Sequence, residues 1–374
     1  METSGLVPEG FVTAPELSEV IAASGPFASV YLTTESEVHD AAEQLARRWK
    51  TVRASLGEQG ADETVLEAID TVVDGAYQEG RGLGVIADGS GVLHVEHHPE
   101  PPATDTGQWG ALPALIPILE WHQSQPAYAI VLADRLGADL VGVRRHRPDT
   151  HAEAGGNDYP MRKVGPGGWS QRRFQQRAEN TWEHNADDVA EELASLVDRV
   201  GARVVTVAGD VRAVQLLRQA LPSAVDDLVH EIDGGRRADG SEESVRAEIQ
   251  VVVQGVVERQ TEAVLAKFGE ERGQHDRATD GVGTTVSALA MAQVAGLLID
   301  PAALEDRQGW FGPEPTQLAT DRGALAAMGV SSPAQAPLAD VMVRAALGTG
   351  AGVRVIASDR APAAGVGALL RWAG

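Results

Sequence analysis

Apolar residues recur at three- and four-residue spacing through residues 170–200: Phe174, Ala178, Trp182, Val189, Leu193, Leu196 and Val200. That period predicts one long amphipathic helix, and Ser170 has the side chain of an N-cap. Around it the pattern changes. Before it, Tyr128–Ala133 and Ala138–Val143 are short β-rich runs flanking the turn Asp134-Arg135-Leu136-Gly137. After it, Arg203–Gly209 reads as a buried strand, Val211–Leu221 as a helix, the polar, glycine-rich Asp233–Ser244 as a loop and Val245–Phe268 as a long helix. Toward the N-terminus, Ala28–Leu32 reads as a strand after a Gly25-Pro26 turn, Val38–Leu56 and Glu63–Tyr77 as helices, and Gly82–Ala87 with Gly91–Val95 as a hairpin around Asp88-Gly89. Gly269–Gly273 has linker composition. Beyond it come a helix (Thr284–Ala295), a strand (Gly296–Asp300), a helix near Leu338–Leu347, a strand (Val353–Ala357) and a closing apolar run, Gly365–Trp372. Strands alternating with helices imply mixed or parallel sheets covered by helices. The expected fold is therefore α/β in three domains, 1–124, 125–272 and 273–374, each a mixed β-sheet packed with helices. No internal repeat is visible.

Composition narrows the classes of function. At 374 residues with 43% hydrophobic content, the chain can build two or three ordinary cores. It has no cysteine, which excludes disulfides, thiolate metal sites and a thiol nucleophile. No apolar run approaches the ~20 residues of a membrane span. Met1–Gly5 shows no basic region followed by an apolar stretch, so the expectation is a cytoplasmic protein with no membrane partner. Lysine is scarce: Lys50, Lys163 and Lys267 stand beside 28 arginines, a skew that fits genome base composition.

Charge changes the picture most. With 31 basic and 54 acidic residues, the formal net charge is −23. Yet residues 144–177 hold eight cations (Arg144, Arg145, Arg147, Arg162, Lys163, Arg172, Arg173 and Arg177) against Asp149, Glu153 and Asp158. That segment is +5 and the remainder −28. Its tip is Gly165-Pro166-Gly167-Gly168-Trp169. Three arginines then fall in the first turns of the long helix, where the dipole favours acids, and Arg173 and Arg177 form a like-charge pair four apart. A sequence that accepts both costs is suited to meeting an anion. Phosphate is the obvious one, and RNA the commonest cellular polyphosphate. Trp169 beside the arginines can either stack on a base or anchor the loop on its own domain.

Other chemistry is thin. His94, His97 and His98 cluster on one strand, but no further His or Cys at ligand spacing supports a metal, and an exposed strand end is the simpler reading. Gly281-Val282-Gly283 and Gly365-Val366-Gly367 lack the third glycine of a dinucleotide fingerprint and read as turn glycines. There is no Walker loop and no Gly-x-Ser-x-Gly elbow. No cofactor is expected.

Taken together, several motifs carry a resemblance. Gly167-Gly168-x-Ser170-x-x-Arg173-Phe174 resembles the loop of the archaeal and eukaryotic class-1 release factors, where Gly-Gly-Gln-Ser is followed in register by Arg-Phe. Ser29–Leu32 resembles their first strand. Ala133-Asp134 with Gly137-Ala138-Asp139 resembles the entry to their middle domain, Gly281–Asp300 the start of their third, and Gly365–Trp372 their closing Gly-Ile-Gly-Ala-Ile-Leu-Arg-Tyr. The chain is most similar to the bacterial, actinobacterial-type branch of the release-factor and Pelota superfamily, which includes a ribosome hibernation factor. The resemblance implies a release-factor-like fold. It also implies a protein that enters the vacant ribosomal A site with its middle-domain loop toward the peptidyl transferase centre, and possible contact with elongation factor Tu.

Two departures bear on activity. The family's catalytic glutamine is replaced by Trp169. Where the codon-reading motif is expected in the first region, Arg53–Gly60 stands instead. The expectation is a non-catalytic ribosome-binding factor of the hibernation or rescue type, in stress response. Gly167, Gly168, Trp169, Ser170, Gln171, Arg172, Arg173, Arg177, Arg162 and Lys163 would form the RNA-binding set, with no catalytic residue and no metal. The alternative is a peptidyl-tRNA hydrolase in which Gln171, two positions past the missing glutamine, positions the water.

Overall fold

The computed structural model describes residues 7–34, 40–76, 80–134, 137–143, 150–155, 170–233, 242–274, 277–357 and 359–372. The fold is mixed α/β, with several β-sheets packed with helices. By contact the chain divides into two compact units: residues 1–123 together with 260–374, and residues 124–259. The first and third regions of the sequence therefore share one unit.

In chain order the first unit begins with α1 (Ser18–Ala22), β1 (Phe27–Thr33), α2 (Ala41–Glu58), α3 (Glu63–Val73), β2 (Gly82–Asp88), β3 (Gly91–His98), β4 (Thr106–Gly110) and α4 (Ile116–Ser124). The strands form one antiparallel sheet ordered β3-β2-β1-β4. β1 and β2 read as unbroken apolar runs, the signature of a strand covered on both faces. Ala28, Val30 and Leu32 accordingly meet Leu45, Trp49, Leu56 and Ile69 of α2 and α3 on one face. Phe27 and Tyr31 meet Ile118 and Leu119 of α4 on the other. β4 and α4 escaped the sequence reading, because Thr-Gly-Gln-Trp-Gly and Ile-Pro-Ile-Leu carry little period.

The histidines of β3 are not an exposed strand end. His98 is buried and stacks on Trp121 at 4.7 Å. The buried Glu96 carboxylate lies 3.4 Å from His94 and 3.1 Å from buried His122. A carboxylate without water demands such partners. Among the described residues no group of three or more His, Asp or Glu could hold a metal ion.

The second unit holds β5 (Tyr128–Ala133), β6 (Gly137–Val143), β7 (Thr150–Gly155), α5 (Ser170–Val200), β8 (Val204–Gly209), α6 (Val211–Ala220), α7 (Ser223–Asp226) and β9 (Val229–Glu231). Its sheet is ordered β7-β6-β5-β8-β9. β5–β6–β7 is an antiparallel meander, while β8 and β9 add in parallel. Thr150–Gly155, read as part of the basic loop, is thus a strand: its alternation is short and polar, and it is held by the edge of β6.

Helix α8 (Glu242–Gln274) leads from the second unit into the rest of the first. It runs through the expected linker at Gly269–Gly273. Two glycines cost about 1 kcal/mol each in a helix. Against that, Phe268 is buried, and Arg272 lies over its ring at 5.7 Å and pairs with Asp280 at 2.8 Å. The remainder comprises β10 (Ala278–Asp280), α9 (Val282–Ala290), β11 (Val294–Ile299), β12 (Gln308–Phe311), β13 (Leu318–Ala319), α10 (Arg322–Ala327), β14 (Ala334–Pro337), α11 (Leu338–Gly348), β15 (Gly352–Val355) and β16 (Val366–Leu370). They make a mixed sheet β10-β16-β11-β15 and a small sheet β13-β12-β14. No helix among the described residues is long and apolar enough to cross a membrane.

Candidate nucleic-acid interface

Strand β7 divides the basic segment: residues 144–149 join β6 to β7 at the end of the sheet where Gly142 pairs with Thr150, and residues 156–177 follow from the opposite end, after Gly155. β5 and β6 join at Asp134–Gly137, where the Asp134 carboxylate accepts from the Gly137 N–H at 3.1 Å. Gly137 pairs with Gly155 at the end of β7, and Ala133 pairs with Gly209 at the end of β8. The turn, the exit from β7 and the exit from β8 therefore lie on one edge of the sheet.

That edge is tightly made. Gly209 has φ +144°, and a Cβ there would come within 1.8 Å of the Ala133 carbonyl oxygen. The next residue, Asp210, caps α6 by accepting from the N–H groups of Arg212 (3.0 Å) and Ala213 (3.3 Å). Ala133, Asp134, Gly137 and Leu217 line a small notch together with Asn185, Ala186 and Val189 of α5. So α5 crosses the edge of the sheet at Asn185.

The lengths agree. From Asn185 to Val200 the helix rises about 24 Å, close to the ~20 Å of a six-residue strand. Over that stretch Val189, Leu193, Leu196, Val197 and Val200 are buried against the sheet and α6. The 31 residues of α5 span about 46 Å. Residues 170–184 therefore carry the helix about 22 Å past the edge, toward the basic segment. Ser170, Gln171, Arg172, Arg173 and Arg177 occupy the far turns of this overhang. Charge reverses along the helix: Arg172, Arg173 and Arg177 come first, and Glu179, Glu183, Asp187, Asp188, Glu191 and Glu192 follow, with Asp187, Asp188 and Glu191 exposed.

Of the expected RNA-binding set, Arg162, Lys163, Gly167, Gly168 and Trp169 lie outside the described residues, as do Arg144, Arg145 and Arg147. The overhang itself was not legible from the sequence. Its signal was there in retrospect: the helical period runs for 31 residues, while the strands beside it have six.

Residues 127–274 match the family described as bacterial archaeo-eukaryotic release factor family 2. The uncharacterized protein Rv2629 of Mycobacterium tuberculosis H37Rv is 29% identical over 364 residues, covering 95% of each chain. Among solved structures, Archaeoglobus fulgidus Pelota aligns over 98% of this chain and 93% of its own at 11% identity (TM-score 0.36). Saccharomyces cerevisiae Dom34 aligns over 96% and 92% at 9% identity (TM-score 0.42).

Proposed function

We infer the role of this chain from its membership, carried by residues 127–274, of the bacterial branch of the archaeal and eukaryotic release-factor and Pelota superfamily: it is a ribosome-associated translation factor. Within that class we assign it to the hibernation or rescue type. It occupies the vacant A site through its basic middle segment, contacts ribosomal RNA near the peptidyl transferase centre and does not hydrolyse peptidyl-tRNA. Elongation factor Tu is its proposed protein partner.

One observation carries this reading. A chain of net charge −23 carries a local excess of cations on residues 144–177, eight of its 31 Lys and Arg against three acids, and mounts Arg172, Arg173 and Arg177 on the N-terminal half of a helix that runs past its sheet. An acidic body repels RNA everywhere except where that segment enters. Arg172, Arg173 and Arg177, with Arg162 and Lys163, neutralise phosphates; Gly167 and Gly168 let the backbone approach RNA closely; Trp169 takes the place of the glutamine that a release factor needs.

The test is cosedimentation with vacant ribosomes over a salt series. Binding that falls steeply with salt supports the reading, and absence of binding at low salt overturns it. Peptide release from peptidyl-tRNA on ribosomes, with Gln171→Ala as control, tests the remaining point: release that depends on Gln171 would make the protein a hydrolase instead.

A further inference from the structure

The first unit holds a cleft of about 850 Å³, within the range of small-molecule sites. Its walls come from distant parts of the chain, among them Trp109 of β4 and Leu112 just after it, Phe311 and Pro315 around the end of β12, and Arg344 and Leu347 of α11. Arg344 is its cation. The guanidinium lies 5.4 Å from the Phe311 ring. Nη1 donates to the carbonyls of Gly312 (3.2 Å) and Glu314 (3.4 Å), and Nη2 donates to that of Pro313.

Three carbonyls account for three of the five N–H donors of an arginine. The others are Nε–H and one N–H of Nη2, groups that share an edge of the guanidinium, the fork that matches a carboxylate or phosphate. No carboxylate forms an ion pair with Arg344 among the described residues; Glu314, which also lines the cleft, acts on it through its charge without such a pair. Burial lowers its pKa from the ordinary value, and it stays cationic at neutral pH.

Nor is Arg344 the only brace on the loop it touches. The Gly312 N–H donates to the Gln317 carbonyl at 2.8 Å, the Gln317 N–H donates to the Glu314 carbonyl at 3.0 Å, and the Glu314 N–H donates to Gln317 Oε1 at 3.1 Å. Pro315 packs against Gly348, with its Cγ 2.6 Å from where a Cβ on that glycine would stand. The loop presents its carbonyls to the guanidinium from a frame of its own, which fixes the orientation of the fork in advance.

We propose that this cleft binds a small molecule with an anionic head, carboxylate or phosphate, on an aromatic or apolar body. The head takes the Arg344 fork, and the body lies against Trp109 and Leu112. The site is separate from the basic segment and owes nothing to ribosome binding.

Titration calorimetry with phenyl phosphate and with phenylacetate tests it, with benzyl alcohol as the neutral control. Saturable one-to-one binding of either anion is expected, and which of the two binds identifies the head. Benzyl alcohol should not bind. Arg344→Lys keeps the charge but loses the fork, and should weaken binding at least about tenfold. Trp109→Ala, which leaves Arg344 and its loop intact, should weaken it as well. Glu314→Gln removes the opposing charge and should tighten it. No saturable binding up to about 10 mM overturns the proposal. So does binding unchanged in both Arg344→Lys and Trp109→Ala, or binding lost instead in a variant with Arg172, Arg173 and Arg177 replaced by glutamine.

Discussion

Asp340 is a carboxylate placed where ionisation is expensive. It sits in the first turn of α11, buried, with Gln108 donating to it at 3.2 Å. Burial outweighs that hydrogen bond and raises its pKa to about 6. The folded state therefore binds the proton more tightly than the unfolded chain does. The linked stability is fully present below the ordinary carboxylate value of 3.8, and is lost as pH rises through about 6. Asp340→Asn should unfold at a higher temperature than the parent at pH 7.5, by up to ~3 kcal/mol of stability at 1.36 kcal/mol per pH unit. The advantage should vanish below pH 4; a gain that persists there would place its cause elsewhere. Gly209 makes the opposite case. Its positive φ and the approach of the Ala133 carbonyl leave no place for a methyl group. Gly209→Ala should cost ~1–3 kcal/mol from backbone conformation alone, and more from the clash, read as a lower denaturant midpoint.

At the scale of elements, α5 dictates what the basic residues can do. If Arg172, Arg173 and Arg177 each neutralise one phosphate, replacing all three with glutamine should lower the slope of log affinity against log salt by about 2 to 3, at ~0.7–0.9 per contact. Sedimentation of the variant over a salt series checks this, and an unchanged slope would remove α5 from the interface. The elements with strong periods were readable in advance: α5 and α11 from their apolar stripes, and β1 and β2 from their unbroken apolar runs. β4, β7 and the three short strands β12 to β14 were not, because each is held by a neighbour's edge rather than by its own pattern. The Glu96–His122 pair was hidden for a related reason. Partners 26 residues apart leave no local signature, so His94 and His98 read as surface. The arginine cluster was legible as charge, but its height above the sheet depends on where α5 meets Ala133 and Gly137, and no spacing encodes that contact.

For the whole molecule, charge separation should govern recognition. The acidic body holds the protein off nucleic acid generally, so non-specific RNA should compete poorly with ribosomes for it. Restoring the family glutamine is not expected to create a release factor. Trp169→Gln should give little stop-dependent peptide release, because a misplacement of ~1 Å can cost on the order of 100-fold in rate; the first region, moreover, carries Arg53–Gly60 where a codon-reading motif would stand. Robust release from stop-programmed ribosomes would contradict this. Mechanically, if α5 meets RNA at its far end, the buried stretch from Asn185 to Val200 is the clamp of a cantilever. A rotation of 3° at the clamp would swing Ser170 through about 1 Å, given a ~22 Å arm. Tip accuracy is thus set by the apolar residues of the clamp. Leu193→Ala, at a buried position about five turns along α5 from Arg173, should loosen ribosome binding while leaving net charge and salt slope intact.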